Sequence, residues 1–550
     1  MGDPAGYSQS DSPASRRASP GPGSLPSAVG IAVLIALAFG ASLRNEFIWD
    51  DEILILGNPL VQSWDNVPQI LGSGFWAGST TFYRPVVGLS YVFDYTAWGP
   101  GNPAGFHATN LVLHLLMSTA LYALLRRRFG FSASFFAAAI FAVHPVHAAA
   151  VAPAYARDNM LPGMLAVALL ALDSARRWKP AAWICLTVFA LTCLSKESGL
   201  VFPLLASAYS FLYFDAKERR ETRWIQLLLW CLAAAYLVAR VLWMPFHGAR
   251  PLALIADQSL LVRAWTFLEV LTHYAQLLVF PQHLFAERHF ANGSVASLRP
   301  WLGLVVSVAI LAYGWRVRRK SPHVLFGALW FYIALGPTSN LVALQLTMAE
   351  QWLYPAAMGI AWILAGVLTP VLDGVPRGST RSWWLLAVLS VIVLAFAARS
   401  AQRTLDWRDG VTLYSKDVVH APNSFVLHNN LGLEHLRRGD LDAAEKEFLA
   451  ALSIRERYGI ATTNLGLVLE ARENLEGAEK LFRDAIEYSR YSLAYSNLAR
   501  LLWNTGRRQE AVSVLTVGRR FHPAVLELSR MEAQMRAQLE ARARPTAEQP

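Results

Sequence analysis

An all-α architecture, a polytopic membrane helix bundle followed by a helical solenoid, is what this sequence predicts, and three observations predict it. Hydrophobic residues fill 54% of the 550 positions and charged ones only 16%, where an ordinary soluble chain carries about a quarter charged. The apolar residues gather in blocks of roughly 15–22, long enough at helical rise to cross a hydrocarbon core. From about residue 424 the composition turns charged and helix-forming, with a period near 34.

Taken in order, residues 1–26 are rich in Ser, Pro and Gly, with Arg16 and Arg17 as a basic pair. Such a composition cannot bury a core, which predicts a disordered tail. Ser27 to Leu43 reads as a retained first span, because no clear cleavage site precedes the polar loop 45–107. Apolar blocks follow at about 108–125, 131–149, 159–174, 180–194, 198–214, 224–244, 263–280, 300–315, 323–337, 353–371 and 383–398. Basic runs lie beside alternate blocks: Arg126-Arg127-Arg128, then Arg176-Arg177, then Lys217 to Arg223. That alternation sets the N-terminus inside and the loop 45–107 outside. It also accounts for the net charge of +10 without nucleic acid. The 263–280 block carries Glu269 and His273, with Arg263 at its start, and suits an interfacial or re-entrant helix. Setting it aside leaves about eleven spans in a transmembrane domain 27–400 and puts the residues after 398 outside. Cys185, Cys193 and Cys231 all lie in apolar segments, which argues against a disulfide framework or a zinc site.

Residues 401–423 read as a linker or leading helix. Asn430-Leu431-Gly432 recurs as Asn464-Leu465-Gly466 and as Asn497-Leu498-Ala499, and Ala444, Ala478 and Ala511 recur in the second helix of each unit. Paired helices at this period are the tetratricopeptide signature, with three repeats over 424–525. A C-terminal tail fills 526–550. Such repeats stack into a concave surface that binds partners.

Four clusters carry chemistry. Asp50 and Asp51 stand in the first outward loop, with Tyr83-Arg84-Pro85 and Asp94. A carboxylate at a membrane surface usually serves a path, a site or a partner. His107, Asn110 and His114 share one helical face; for Asn110 and His114 the plainer expectation is hydrogen bonding between helices. His144-Pro145-Val146-His147 precedes Arg157-Asp158-Asn159, and no third ligand accompanies the two histidines. Ser195-Lys196-Glu197 fills a short outward turn, where a local ion pair or helix cap fits equally well. Glu350-Gln351-Trp352-Leu353-Tyr354 precedes the tenth span. All face one side, whereas the other side has mostly basic anchors. Neither a Walker lysine loop nor a Ser/His/Asp grouping is present, which argues against nucleotide hydrolysis and acyl transfer.

In this order, Phe47-Ile48-Trp49-Asp50-Asp51, Tyr83-Arg84-Pro85, His107 with His114, the His144 to His147 motif, Ser195-Lys196-Glu197, Glu350 with Tyr354, and the repeats resemble the transmembrane-and-tetratricopeptide O-mannosyltransferase family and its bacterial relatives. These are C-type glycosyltransferases, and the match covers nearly everything after about residue 28. The resemblance implies a polyprenyl-phosphate sugar donor and an acceptor reached from outside the membrane. It assigns Asp50 or Asp51, with Asp51 slightly preferred, as the catalytic carboxylate, and Arg84, Arg157 and Lys196 as contacts for the donor phosphate. Trp352 and Tyr354 would line the lipid or sugar pocket, with His107, His144, His147, Asp158, Glu197 and Glu350 around it. No cofactor is specified, and a divalent metal is compatible with the carboxylates.

Three departures stand out: Ala148 and Ala149 where the family often has a glutamate, Asp158 one place earlier than its usual acid, and Gln351 where arginine is usual. The expected function is transfer of a sugar such as mannose to an acceptor hydroxyl, for example on protein Ser/Thr, with the repeats recruiting the acceptor. The setting expected is a bacterial inner membrane with periplasmic repeats, or an endoplasmic reticulum membrane with lumenal ones. The rival readings are a non-catalytic scaffold acting through its repeats and a lipid-sugar transporter.

Overall fold

The computed structural model describes residues 24–543 except 73, 76–81, 244–254, 289, 377 and 524. The predicted tail thus lies outside the described residues up to position 23, as do 544–550 at the other end. Among the described residues everything regular is helical, apart from one isolated bridge between Arg288 and Met348. Three α-helices among the described residues open on proline, at Pro85, Pro103 and Pro322. The missing N–H costs nothing there, because the first amides of a helix have no internal partner.

Among the described residues, six helices are long and apolar enough to cross a membrane: Leu25–Arg44, Pro103–Arg126, Ala216–Leu242, Leu298–Val317, Glu350–Asp373 and Thr380–Asp406. A bent pair, Phe131–Ala142 with Pro145–Val151 turned by 44°, makes a seventh if counted as one span. The chain is a multi-pass membrane protein. The expected eleven spans exceed this count for a physical reason. Met164–Ala175, Ala181–Cys193, Phe202–Tyr213 and Pro322–Leu335 have 12, 13, 12 and 14 residues, short of the ~20 needed to cross straight. Tight turns at Leu161–Gly163 and Glu197–Val201 use up the rest of two of those apolar blocks. The helix Leu260–Val279, set aside on its charges, is not among the six.

Half of the Glu350–Asp373 window is buried, against 22% for Ala216–Leu242, Leu298–Val317 and Thr380–Asp406. The first is therefore a central helix and the other three are peripheral. Their exposed faces carry Leu227, Trp230, Val305, Trp383, Trp384 and Val391, as lipid contact requires. At the centre, Pro322–Leu335 approaches Leu353–Asp373 so closely that a Cβ on Gly327 would meet the Gly359 carbonyl at 2.5 Å. Small residues allow this in membranes, where packing rather than hydrophobic exclusion holds helices together.

The repeats form as three helix pairs: Phe425–Arg437 with Leu441–Ile454, Gly459–Ala471 with Leu475–Ser489, and Ser492–Asn504 with Arg508–Phe521. The recurring small residue has a steric cause. A Cβ at Gly432 or Gly466 would lie 2.8 or 2.6 Å from the ring of Phe448 or Phe482. The third pair has Leu515 at that place, and Ala499 fits against it. The tail begins as a helix, Leu526–Ala543, whose Leu528 is buried in the third-repeat core. The leading helix, Gly410–His420, is capped by Asp409, which accepts from the Thr412 amide at 2.9 Å.

Candidate functional site

The segment 45–57 leaves the first span as a tight turn. Trp49 has φ of 57°, a left-handed conformation unusual for a bulky residue. The Leu54 amide donates to the Asp50 carbonyl at 2.8 Å and continues the turn into Glu52–Leu56. The two aspartates end in different surroundings. Asp51 is fully buried, and both its oxygens are used: Oδ2 accepts from the Ile48 amide at 3.0 Å and Oδ1 from the Tyr155 amide at 2.6 Å. Asp50 is half-buried, and its carboxylate has no hydrogen-bond partner among the described residues. Burial raises Asp51 to about 8, with its two amide hydrogen bonds opposing. Burial also raises Asp50 to about 7, and the charges of Asp158 and Glu287 add to the rise.

The Asp51–Tyr155 bond ties this loop to Arg157-Asp158-Asn159, three residues that sequence spacing alone does not place beside it. Asp158 Oδ2 accepts from Arg84 Nη1 at 2.8 Å and from Lys196 Nζ at 2.9 Å. Arg84 Nη2 reaches Glu197 Oε2 at 3.3 Å, and Arg240 lies 3.9 Å from the other oxygen of Glu197. The guanidinium of Arg84 sits over Phe82, 4.6 Å from the ring centre, and its buried Nε has no hydrogen-bond partner among the described residues. Burial alone would raise Asp158, but Lys196 and Arg84 beside it hold its carboxyl below the usual range. Burial lowers Lys196, and Asp158 opposes that fall. Three cations and two carboxylates thus share one buried patch with partly unused donors, a composition suited to an anion.

Arg157 lies in the same region but is committed to the protein. Its five N–H groups go to Asn110 Oδ1 (2.8 Å), the Ser90 carbonyl (3.0 Å) and hydroxyl (3.1 Å), the Phe106 carbonyl (3.1 Å) and Asp94. A guanidinium has five donors, so none remains for a phosphate in this conformation. Its neighbour Asp158 is the member of the motif that faces the cation patch.

Three of the histidines, His114, His144 and His147, pack together, with His147 6.0 Å from each of the other two rings. His114 joins the Tyr354 hydroxyl at 2.8 Å and the Ala142 carbonyl at 2.8 Å. His144 joins the Leu278 carbonyl at 3.0 Å and caps the following turn. His147 is fully buried, 4.8 Å from the Tyr354 ring, and neither of its nitrogens has a hydrogen-bond partner among the described residues. His107 is also fully buried, at the start of the helix Pro103–Arg126. Tyr354 is fully buried and Trp352 half-buried. Glu350 is fully buried; its Oε1 accepts from the Phe285 amide at 2.8 Å and Arg288 at 3.0 Å. Arg288 therefore supplies the cation expected beside Glu350 where Gln351 replaces arginine.

Arg240, Glu287 and Arg288 escaped the sequence reading. For Arg240 a signal existed: a lone arginine late in the apolar 224–244 block is costly and calls for a reason. Glu287 and Arg288 lie in an irregular segment with no motif to mark them. Among the described residues, no three His, Cys, Asp or Glu side chains stand where they could share a metal ion. Asp51, Asp158, Glu197 and Glu350 are paired with amides, arginines or a lysine, and Asp50 alone of these carboxylates has no hydrogen-bond partner among the described residues.

Tetratricopeptide-repeat models match residues 426–458 and 461–490. Over 452 residues the chain is 26% identical to "Protein O-mannosyl-transferase F38B6.6" of Caenorhabditis elegans, covering 78% of this chain and 63% of that protein. It is 23% identical over 555 residues to "Protein O-mannosyl-transferase TMTC3" of Homo sapiens, covering 87% and 58%. These are the proteins the motifs resemble. The chain spans less than two thirds of the length of either relative. Among solved structures, ArnT from Cupriavidus metallidurans, crystallised with undecaprenyl phosphate, aligns over 84% of this chain and 80% of its own, at 16% identity and a TM-score of 0.40.

Proposed function

We propose that this chain is a membrane glycosyltransferase that moves a sugar, mannose by analogy with the names of its relatives, from a polyprenyl-phosphate donor to an acceptor hydroxyl. The observation that carries the reading is Asp50: a half-buried carboxylate without a hydrogen-bond partner among the described residues, close enough to feel the charge of Asp158, which Arg84 and Lys196 hold. Asp50 takes the proton of the acceptor hydroxyl as its oxygen attacks the anomeric carbon. The bond from that carbon to the phosphate oxygen breaks, and the departing charge is met by Arg84 and Lys196, with Arg240 behind them. The products are a glycoside, polyprenyl phosphate and a protonated Asp50. A single displacement of this kind inverts the anomeric centre.

Asp51, with both oxygens held by amides, positions the loop rather than accepting the proton. Arg157 holds Asp94 and Asn110 in place rather than meeting the phosphate. The reaction would face the periplasm or lumen, and the repeats would recruit the acceptor, a Ser/Thr hydroxyl of protein being the class that suits them. Asp50→Asn in purified protein, assayed with polyprenyl-phosphate mannose, should lower transfer by about 10²–10⁴ with the fold retained. Undiminished transfer would remove Asp50 as the base, and no transfer by the parent protein would favour a non-catalytic scaffold.

A further inference from the structure

The loop that bears the two aspartates is gripped from the side of the repeats. The Glu46 amide donates to the Arg408 carbonyl at 2.9 Å, and Asn45 Nδ2 to the Thr404 carbonyl at 3.5 Å. Ile48 is buried in a cluster with Trp407, Leu413, Tyr414, Leu427 and Leu431, residues of the leading helix, its approach and the first repeat helix. The ring of Trp49 packs edge-on against Tyr414 with centres 5.6 Å apart. Glu52 forms an ion pair with Arg437, which Glu434 also holds at 2.9 Å. Asp50 and Asp51 therefore lie between two anchored residues, Trp49 and Glu52, both fixed by elements more than 350 positions away in the chain.

The left-handed Trp49 makes this grip consequential. A bulky residue at positive φ costs about 1–2 kcal/mol and persists only where its surroundings enforce it. The Tyr414 contact and the Glu52–Arg437 pair are the enforcing contacts on either side of the carboxylates. Glu287, whose charge acts on Asp50, accepts at 3.5 Å from the Ser424 hydroxyl that caps the first repeat helix. Asp50 is thus within electrostatic reach both of Asp158 in the cation patch and of Glu287, which accepts from Ser424 at the start of the repeats.

We propose that Tyr414 and Arg437 are positioning residues for Asp50, and that the leading helix and first repeat form the acceptor-side wall of the site. This inference rests on the reading of Asp50 as the base. It gives the solenoid a part in catalysis beyond recruiting a partner, since its first turns set the geometry of the carboxylate loop.

The test is a charge exchange in the full-length protein reconstituted in lipid nanodiscs. Arg437→Glu and Glu52→Arg each place like charges together, and the double exchange restores an opposite pair. Hydrogen exchange of the amides from Ile48 to Leu56 should quicken at least tenfold in each single variant and return to within about twofold in the double. Transfer from undecaprenyl-phosphate mannose to a Thr-rich peptide should follow, with kcat falling about tenfold in each single variant, KM for the donor unchanged and kcat recovered in the double. Unaltered loop exchange in all three proteins overturns the inference whatever the activity. Loosened exchange with unaltered kcat, where Asp50→Asn abolishes transfer, overturns the positioning role alone. If Asp50→Asn leaves transfer intact, the reading of Asp50 fails and takes the positioning role with it, whatever the exchange data show for the clamp. Tyr414→Phe, which keeps the ring contact, should match the parent, whereas Tyr414→Ala should behave like Arg437→Glu.

Discussion

Two buried ion clusters stand at opposite ends of the helix Pro103–Arg126, and they differ in how completely their groups are used. Beyond its C-terminal end, Asp173 Oδ1 accepts from Arg128 at 2.6 Å, Arg176 at 2.7 Å and the Tyr209 hydroxyl at 3.0 Å. Arg176 goes on to Glu218 at 2.5 Å, and no buried atom of this group lacks a partner among the described residues. Near the N-terminal end, the cluster of Arg84, Lys196, Asp158 and Glu197 leaves Arg84 Nε, Glu197 Oε1 and the Tyr236 hydroxyl buried without hydrogen bonds among the described residues. A closed set of charges holds helices together. An open one has capacity for something that is not protein. The largest effect should therefore come from breaking the closed set. Asp173→Ala leaves Arg128 without its anion and Arg176 with Glu218 alone, and should cost about 3–5 kcal/mol of stability, read as a lower unfolding temperature and a poor folded yield.

In the open cluster the same kind of loss should appear in binding instead. Arg84→Gln removes one of three cations while Lys196 and Arg240 still face the two carboxylates. Thermal unfolding should shift little, but KM for polyprenyl-phosphate mannose should rise about 30-fold, equivalent to about 2 kcal/mol of a charge-assisted contact. A large fall in unfolding temperature with an unchanged KM would make the second cluster structural too, and the contrast would vanish.

That contrast was half legible in the sequence. Apolar blocks, basic runs and the 34-residue period report directly on bundle and solenoid, because burial and repeat packing impose local spacing. The same alternation put Arg84, Asp158, Lys196 and Glu197 at one end. Their pairing was not legible: Arg84 meets partners 74 and 113 positions away, and nothing local encodes such distances. Arg157 shows the limit most clearly. The resemblance marked it for a phosphate, yet partners from two helices, Ser90 and Asp94 on one and Phe106 and Asn110 on the other, take all its donors. The choice between Asp50 and Asp51 was equally hidden, since it depends on where the Tyr155 amide lies.

Protonation gives the next test. Asp50, raised to about 7 by burial first and then by Asp158 and Glu287, must be ionised to act as base. Transfer should rise about tenfold per pH unit below 7 and level off above it, and Asp50→Glu should move the midpoint. Stability should run the other way. A carboxyl raised on folding binds its proton more tightly in the folded state. Its contribution is then full below the unfolded value near 3.8 and is lost as pH rises through about 7 for Asp50 and about 8 for Asp51. Opposite slopes of activity and unfolding temperature between about pH 5 and 7 are the signature. Parallel slopes would remove Asp50 from the chemistry.

The smallest effect separates the clusters most cleanly, because it changes one oxygen in each. Tyr209→Phe removes a hydroxyl that donates to Asp173 and receives Arg128 Nε at 3.1 Å. It should cost about 1 kcal/mol, the usual net value of such a bond, with donor KM untouched. Tyr236→Phe removes a buried hydroxyl that has no hydrogen bond among the described residues but lies near Glu197 and Arg240. Deleting an unsatisfied buried hydroxyl should leave unfolding unchanged or slightly later. If the open cluster binds phosphate, that hydroxyl is one of the groups waiting for it, and donor KM should rise about threefold. Destabilisation by Tyr236→Phe equal to that of Tyr209→Phe would mean the hydroxyl already has a partner inside the protein, and the cluster would no longer count as open.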